Sequence, residues 1–220
     1  MARRTKEQAA ETREQLLDAA EAVFLRKGVG KTTLDDIARE ANLTRGAVYW
    51  HFKDKGDLFA AMCDRVSLPM QAMLETLAAA PGPDPLGRLR DDGANILRQV
   101  GSDSHTQRVF EIMMFRVELN DTVQNVMAAE QQRGEHCRSQ LASVLRVAQE
   151  LGQLPPHLNT CLAAFALNSF LVGCIHEWLE HREFDLAEQA DWLMETFFVG
   201  LRNAPPMPVA GAGCKAMPQG

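Results

Sequence analysis

The sequence predicts an all-α protein, and three observations support that fold class. Long runs of alternating Val, Ile and Thr, which would indicate strands, are absent from it. Ala, Leu, Glu, Gln and Arg, which favour helices, are abundant. Apolar residues recur at helical spacing between breaks that contain Gly or Pro. With 220 residues and 46% hydrophobic content, the chain is long enough for one or two domains with a sizeable core.

The first predicted helix begins at Thr12, which has capping-box spacing with Gln15, and it ends before Gly28. The polar residues ahead of it, 1–11, are expected to form a flexible basic arm. One face of this helix is apolar and consists of Leu16, Ala20, Val23 and Phe24.

Two short helices follow and are joined by a three-residue turn. Thr33 and Asp36 have capping-box spacing at the start of the first one. The turn begins with Asn42, a residue that tolerates the left-handed conformation that ends helices. The next helix is predicted from Arg45 to His51 or one residue further. Two short helices joined in this way form the helix-turn-helix pattern.

A longer helix is predicted from near Lys55 towards Ala79, and Pro69 inside it is expected to kink or interrupt it. The segment PGPDP, residues 81–85, is a clear break. Further helices are predicted over residues 85–100, 104–117, 121–151, 157–181 and 185–202.

The most apolar run, residues 163–175, is too short to span a bilayer and contains Asn168, so a buried helix is predicted there and no membrane partner is expected. The tail, residues 204–220, is rich in Pro, Gly and Ala, and we expect it to be disordered.

Charge is distributed unevenly along the chain. The net charge is −6, yet residues 1–55 carry 11 Lys and Arg against 9 Asp and Glu. A mildly basic end on an acidic body can meet nucleic acid at one end only. The five Cys are far apart and form no C-x-x-C, so reduced thiols in the cytoplasm fit better than a disulfide framework or a zinc site. The N-terminus has no apolar stretch behind its basic residues and is not a signal peptide.

The segment TRGAVYWHFKDK, residues 44–55, predicts a DNA contact. Helical spacing turns Arg45, Tyr49 and Trp50 to one face, whereas Val48 and Phe52 lie on the other. Arg can donate twice to a guanine edge, a Gly lets the helix backbone approach DNA, and the remaining polar groups can donate to phosphates. Burial of the aromatic residues within the domain remains open for Trp50 and is preferred for Phe52. The predicted DNA-binding residues are Thr33, Thr44, Arg45, Gly46, Tyr49, Trp50, His51 and Lys55.

Residues 12–59, TREQLLDAAEAVFLRKGVGKTTLDDIAREANLTRGAVYWHFKDKGDLF, resemble the DNA-binding domain of the TetR family of transcriptional repressors. The similarity includes the TT-DIA run, the TRGAVYWHF recognition helix and the following Lys-x-Asp-Leu-like segment. Asn42 stands where relatives often have Gly. The start of the chain and PLGRLR near residue 85 are most similar to the AcrR-type and TtgR-type repressors of multidrug-efflux pumps.

The resemblance implies an all-α homodimer, with a helix-turn-helix DNA-binding domain over residues 12–54 and a helical ligand-binding and dimerisation domain over residues 55–203. Its expected partners are a palindromic DNA operator and a hydrophobic small-molecule effector, with no cofactor. Leu, Phe, Ala and Trp are abundant beyond residue 157, as expected if a second face is buried against another subunit. A regulator of metabolic or stress genes with a narrow small-molecule ligand is the alternative.

The resemblance also implies that the helix carrying FEIMMF, residues 110–115, lines the effector cavity. Flexible Met side chains suit a pocket that adapts to several apolar ligands. Plain core packing remains an open alternative for each member of this set. The predicted ligand-binding residues are Phe110, Met113, Met114, Cys137, Leu141, Asn168, Val172 and His176.

Three segments have features of enzymes, and none forms a complete motif, so no catalytic or metal-binding residue is expected. GVGKTT, residues 28–33, lacks the first Gly of a phosphate-binding loop and follows a predicted helix. HEWLEH, residues 176–181, spaces its two His five residues apart, so they cannot face one metal. GSDSH, residues 101–105, is expected to be a loop.

Overall fold

The computed structural model describes residues 6–118 and 121–205, with only the backbone for 121–125, and these residues form nine helices and no strand. The predicted all-α class is therefore confirmed, and each predicted helix has a counterpart. The helices are α1 (Lys6–Lys27), α2 (Leu34–Glu40), α3 (Arg45–His51), α4 (Lys55–Ala79), α5 (Pro85–Ser102), α6 (Ser104–Phe115), α7 (Asp121–Glu150), α8 (Thr160–His181) and α9 (Leu186–Arg202).

The first helix begins earlier than the sequence pattern suggests. α1 starts at Lys6, and Thr12 is buried inside it, where its Oγ1 atom donates to the carbonyl oxygen of Gln8 at 2.8 Å. A Thr side chain can bond the preceding turn of a helix as well as cap a helix start, so the Thr12–Gln15 spacing was misleading. The predicted flexible arm is wrong for residues 6–11, and residues 1–5 lie outside the described part of the chain.

The chain folds into two compact units. The first contains α1, α2, α3, the part of α4 up to Pro69, α6 and the start of α7. The second contains the rest of α4, α5, most of α7, α8 and α9. The predicted division after residue 54 differs from this one because α6 packs against α1. Pro69 does not interrupt α4, which continues to Ala79, and the division between the units falls directly after it.

The first unit has a core of large apolar side chains from α1 to α4. Phe24 of α1 and Phe59 of α4 meet edge to face, with ring centroids 5.8 Å apart. Such pairs contribute about 0.5–1.5 kcal/mol beyond the area they bury. The core also holds Leu16, Leu17, Ile37, Val48, Phe52 and Leu58, all at most 2% exposed.

In the second unit α5 packs closely along α9. Gly101 of α5 faces the backbone of Ala187, so a side chain there would collide with α9, whereas Gly93 faces the flexible end of the Met194 side chain. Arg90 donates to Glu195 at 3.0 Å on the same pair of helices. Gly101 therefore permits the close approach of the two helices, and the Arg90–Glu195 ion pair joins them.

Among the described helices, α8 alone has the length and apolar composition that could cross a membrane. Only 33% of its apolar stretch is buried within the chain, so the predicted buried helix is only partly buried in the single chain. Length and composition are weak evidence for a membrane span, because core helices and subunit interfaces satisfy the same criteria. Phe165 and Val172 of α8 are exposed, at 59% and 48%.

Candidate nucleic-acid interface

α3 presents one apolar face to the core of the first unit and one polar and aromatic face to solvent. Val48 is fully buried and Phe52 is 2% exposed, so the predicted packing of both residues is confirmed. On the outer face Tyr49 is 49% exposed and Trp50 71% exposed. An isolated protein gains nothing from exposing Trp50, so this face has the character of a binding surface.

Local interactions fix both ends of α3. The Oγ1 atom of Thr44 accepts a hydrogen bond from the backbone N–H of Ala47 at 3.2 Å and caps the helix start. Asn42 adopts φ 53°, so the predicted left-handed turn residue is confirmed. At the other end Phe52 donates its N–H to the carbonyl of Val48 at 2.9 Å. Its ring also lies under the guanidinium of Arg13, 5.2 Å from it.

Arg45 stands at the first position of α3, and its side chain is 65% exposed. Its Nη2 atom donates to the Tyr49 hydroxyl at 3.1 Å, and its Nε atom lies 3.7 Å from Oδ1 of Asp35 on α2. The bond to Tyr49 and the charge of Asp35 raise the pKa of Arg45 above its ordinary value. The guanidinium is thus held by two neighbouring helices. Sequence reasoning missed Asp35, because a pairing between α2 and α3 leaves no local signal.

Gly46 is exposed, and a Cβ atom added there would find only Thr44 Oγ1, 3.9 Å away. The fold of this unit therefore does not need a glycine at this position. The absence of a side chain leaves the backbone of α3 open to close approach from outside, as expected for a DNA-contacting helix.

Thr33 caps α2 through a complete capping box. Its hydroxyl donates to Oδ2 of Asp36 at 2.9 Å, and its Oγ1 accepts from the Asp36 N–H at 3.2 Å. Hydrogen bonds from Lys27, and then from Thr33, hold the pKa of Asp36 well below its usual range. The Thr33 hydroxyl is therefore occupied. It could bind a phosphate only if the capping box opened, so a phosphate contact here would be made by backbone N–H groups of α2.

Lys55 does not have the arrangement predicted for a phosphate donor. Its Nζ atom donates to the carbonyl oxygens of Val29, Gly30 and Thr32 at 2.7, 2.9 and 2.9 Å. An ammonium group has three N–H donors, and all three are used. The side chain is half-buried, and burial lowers the pKa of Lys55 against the opposing charge of Glu118. We therefore correct the prediction: Lys55 holds the turn between α1 and α2.

A buried carboxylate joins three helices of the same unit. Glu21 of α1 is fully buried, with Oε1 3.1 Å from Nη1 of Arg65 on α4 and Oε2 2.8 Å from Nδ1 of His105 on α6. Arg108 of α6 approaches it at 3.4 Å. Burial raises the pKa of Glu21, and the charges of these neighbours oppose the rise.

Asp18, Glu21 and His105 have the mutual spacing of metal ligands. However, Arg65 already binds both carboxylates, at 2.8 and 3.1 Å. Its positive charge would repel a cation at the same place, so the cluster is better described as an ion-pair network.

The predicted ligand-binding residues fall into two groups. Phe110, Met113 and Met114 lie on α6 in the first unit and are half-buried. The other five lie in the second unit: Cys137 and Leu141 on α7, and Asn168, Val172 and His176 on α8. Leu141 is 5% exposed, whereas Val172 is 48% exposed. Burial raises the pKa of Cys137.

An open groove of about 600 Å³ lies in the second unit between α8, α9 and the turn that joins them. Its lining is mostly apolar and aromatic but also contains acidic side chains, and it includes Phe170, Cys174, Trp178, Phe184 and Leu193. None of the predicted ligand-binding residues lines this groove.

Two of the three segments with enzyme-like features have structural roles, in the turn before α2 and in the cap of α6. Residues 28–33 form the turn between α1 and α2, with Gly28 at φ 80°. In GSDSH, Asp103 caps α6 by accepting hydrogen bonds from the N–H groups of His105 and Thr106, while His105 contacts Glu21. In HEWLEH, the His176 ring lies 3.7 Å from Glu177, its own neighbour in sequence.

The cysteines depart in part from the expectation of reduced thiols. Cys63, Cys137 and Cys174 are free. Cys161, at the start of α8, is disulfide-bonded.

Comparison with protein families gives two matches along the chain. Residues 16–62 match the model described as "Bacterial regulatory proteins, tetR family". Residues 84–202 match the model described as "MAATS-type transcriptional repressor, C-terminal region". Among curated proteins, the HTH-type transcriptional regulator TtgR of Pseudomonas putida is 36% identical over 179 residues, which cover 81% of this chain and 85% of TtgR.

Solved structures give the same result over nearly the whole chain. NalD, the secondary repressor of the MexAB-OprM multidrug efflux pump in Pseudomonas aeruginosa, superposes with a TM-score of 0.80 at 32% identity, covering 91% of this chain and 100% of NalD. The SmeT–triclosan complex superposes with a TM-score of 0.78 at 30% identity, covering 91% and 100%. SmeT is the repressor of the Stenotrophomonas maltophilia multidrug efflux pump SmeDEF.

Proposed function

The chain belongs to the TetR family of bacterial regulatory proteins, and we propose that it represses a multidrug-efflux operon and releases its operator when a hydrophobic, drug-like effector binds. It is a transcriptional regulator and not an enzyme. The observation that carries the proposal is the outer face of α3, where Arg45, Tyr49 and Trp50 are exposed beside the open backbone of Gly46.

The proposed DNA contact places α3 in the major groove. The Arg45 guanidinium donates to a guanine edge, and Gly46 permits close approach of the helix backbone. Tyr49 and Trp50 contact the sugar-phosphate backbone together with the start of α3 at Thr44. His51 is half-buried and its Nε2 atom is buried, so this atom is not available to a phosphate. The backbone N–H groups near Thr33 are offered as a further phosphate contact. Lys55 is omitted from this set because its donors are occupied.

The proposed assembly is a cytoplasmic homodimer that binds a palindromic operator. Apolar side chains that are exposed in the single chain concentrate on α8, on α9 and on the turn between them, and a second copy of the chain would cover them. They are Leu162, Phe165, Val172, Phe184, Trp192 and Val199. A symmetric dimer presents two copies of α3 to successive major grooves.

The proposed effector is a hydrophobic small molecule. The support is the named behaviour of the relatives: NalD and SmeT repress multidrug efflux pumps, and SmeT forms a complex with triclosan. The two groups of candidate residues, on α6 and on α7 with α8, are proposed effector contacts to be tested separately. Met113 and Met114 offer the adaptable apolar surface that such ligands require.

Release requires that the effector bind the form without DNA more tightly than the DNA-bound form. α4 has residues in both compact units, with the division after Pro69. We assign α4 as the connection through which effector binding lowers operator affinity.

The test is fluorescence anisotropy of the purified protein on DNA from its own upstream intergenic region and on random DNA, at one salt concentration. Triclosan, apolar antibiotics, dyes and plant phenolics are then titrated into the complex. Preference for the upstream DNA that several unrelated compounds abolish is the expected result. A preference that none of them abolishes would contradict drug responsiveness and favour a regulator with a narrow metabolic ligand.

The base contact has its own test. Arg45→Ala should weaken operator binding about five- to hundredfold while leaving binding to random DNA nearly unchanged. Equal losses on both DNAs would contradict the assignment of Arg45 to a base.

A further inference from the structure

Along one edge, the guanidinium of Arg45 donates a hydrogen bond to Tyr49 of its own helix and forms a longer ion pair with Asp35 of α2. Asp35 of α2 lies 3.7 Å from Nε, and the Tyr49 hydroxyl accepts from Nη2 at 3.1 Å. The guanidinium carbon also lies 5.4 Å from the centroid of the Tyr49 ring. Nε and Nη2 form the side edge of the group, so both partners occupy the same edge.

The opposite, terminal edge of this guanidinium remains available. Within the described residues, Nη1 of Arg45 makes no hydrogen bond or ion pair to the protein. The terminal pair, Nη1 and Nη2, is one of the two edges by which arginine can bind guanine O6 and N7 together. The contacts to Asp35 and Tyr49 therefore leave a two-donor edge in place for a base.

We propose that Asp35 is a specificity-determining residue that positions Arg45 for a base and discourages its use on phosphates. The inference rests on the proposed function, in which α3 enters the major groove. A mobile arginine can serve either a guanine, which carries sequence information, or a phosphate, which carries none. Asp35 favours the first use because its charge attracts the side edge while the terminal edge contacts the base.

The charge of Asp35 acts in the same direction. A complex in which Arg45 turns towards the DNA backbone breaks the Arg45–Asp35 pair and leaves an unpaired carboxylate near phosphates. A complex in which Arg45 binds guanine through its terminal edge keeps the pair. Binding to random DNA therefore loses the Arg45–Asp35 pair, whereas binding to the operator keeps it. Asp35 raises selectivity by weakening the complex with random DNA.

If Asp35 had a purely structural role, its removal would lower the stability of the protein and not its DNA selectivity. Its side chain is 54% exposed, and exposed ion pairs add little to stability. Asp35→Asn should therefore leave the thermal unfolding midpoint nearly unchanged, which makes DNA selectivity measurable in a folded protein. Glu40, at the end of the same helix, provides a matched control because it pairs with Arg26 at 2.7 Å and not with Arg45.

The experiment compares the affinity for a duplex selected by the unmodified protein from a random library with the affinity for unselected random duplexes. The variants are Asp35→Asn, Asp35→Glu, Glu40→Gln, Arg45→Ala and the double variant Asp35→Asn/Arg45→Ala. Asp35→Asn should lower the ratio of the two affinities about three- to tenfold, chiefly by tightening binding to random DNA. Asp35→Glu should retain most of the ratio, and Glu40→Gln, which removes the same charge, should retain all of it.

The double variant separates positioning from general charge. If Asp35 acts through Arg45, Asp35→Asn should change the ratio by less than about twofold when Arg45 is already alanine. The assignment of Asp35 would be overturned if Asp35→Asn lowered the affinity ratio as much in the Arg45→Ala protein as in the unmodified one. It would also be overturned if Asp35→Asn and Glu40→Gln had equal effects. Either result would leave the proposed function standing. Failure of the unmodified protein to select any duplex would overturn the proposed function, and this inference with it.

Discussion

The Nζ atom of Lys55 lies 2.7 Å from the carbonyl oxygen of Val29, so the first residue of α4 closes the turn that follows α1. The same atom bonds the carbonyls of Gly30 and Thr32. The turn also contacts the end of α6, because the Val29 N–H donates to the carbonyl of Arg116 at 2.9 Å. Lys55, which the sequence predicts as a DNA contact, thus stabilises the turn between α1 and α2.

Lys55→Met is therefore expected to destabilise the protein by about 1–3 kcal/mol, because it leaves three half-buried carbonyls without their donor. Urea unfolding followed by circular dichroism measures the change. Lys53→Met, at an exposed lysine two residues earlier between α3 and α4, is the control and should shift the free energy of unfolding by less than about 0.5 kcal/mol. Unchanged stability together with uniformly weaker DNA binding would restore the phosphate role for Lys55.

The contrast between Lys55 and Val48 shows what the sequence can and cannot predict. Val48 and Phe52 are predictable because helical spacing alone decides which face of α3 is apolar. The partners of Lys55 lie 23 to 26 residues earlier in the chain, and only the folded α1–α2 turn brings their carbonyls together. Periodicity gives the face of a helix, whereas the acceptor of a long side chain depends on tertiary structure.

Glu21 illustrates the same limit in the core. A carboxylate in α1 gives no local sign of burial, yet it is fully buried because Arg65, His105 and Arg108 arrive from α4 and α6. The pairing of Asp35 with Arg45 is likewise a contact between elements. By contrast, the turn at Asn42 was predictable, because few residue types other than Gly adopt its positive φ readily.

Removing the main cation from this buried network should be costly. Arg65→Met is expected to destabilise the protein by roughly 3 kcal/mol, because the buried Glu21 loses its ion pair on α4. Chemical denaturation at neutral pH measures the loss. Arg26→Met, which removes an exposed pair with Glu40, should cost less than about 1 kcal/mol. Similar losses for the two variants would show that the Glu21 network is no stronger than a surface pair.

Asp103 should contribute a pH-dependent part of the stability of the first unit. It caps α6, and the hydrogen bond from the Thr106 hydroxyl, followed by those from the backbone of Thr106 and His105, lowers the pKa of Asp103 below its ordinary value. A lowered pKa in the folded state gives stability that is present above the unfolded pKa, about 4, and is lost as the pH falls through the folded value.

Asp103→Ala is accordingly expected to cost about 1 kcal/mol at pH 7. The difference from the unmodified protein should shrink below about pH 4, where the carboxylate of the unfolded chain takes up a proton, and should be lost as the pH falls through the lower pKa of the native carboxylate. Urea unfolding at pH 7 and pH 3 measures both values. Ser104→Ala, at the adjacent exposed residue, is the control. A difference that stays constant with pH would contradict the role of the carboxylate charge.

The proposed dimer can be tested on its exposed aromatic side chains. Trp192 of α9 is 65% exposed and Phe165 of α8 is 59% exposed, so Trp192→Glu and Phe165→Glu should leave the fold of the single chain intact. Each should raise the dimer dissociation constant by about thirtyfold or more if the residue is central to the interface. Sedimentation velocity over a concentration series measures it.

The control for the dimer is Leu151→Glu, which adds the same charge at an exposed apolar residue, 53% exposed, outside α8 and α9. It should leave the dimer unchanged. If the unmodified protein sediments as a monomer, or if Leu151→Glu weakens the dimer as much as Trp192→Glu, the proposed interface is wrong.

Gly46→Ala separates the fold of α3 from its use on DNA. Apart from its chain neighbours and the backbone of α3, the nearest described atom to the added methyl group is Oγ1 of Thr44 at 3.9 Å. Alanine in a helix is favoured over glycine by about 0.5–1 kcal/mol, so the variant should be slightly more stable. Operator affinity should nevertheless fall about tenfold or more, because the methyl group would stand between the helix backbone and the DNA. Gly134→Ala, in α7, gives the same helical gain without a DNA contact; the nearest atom there is Nη1 of Arg138 at 3.6 Å. Fluorescence anisotropy of both variants on DNA measures affinity, and thermal unfolding measures stability. If Gly46→Ala bound its operator as tightly as the unmodified protein, the backbone of α3 would not approach the bases.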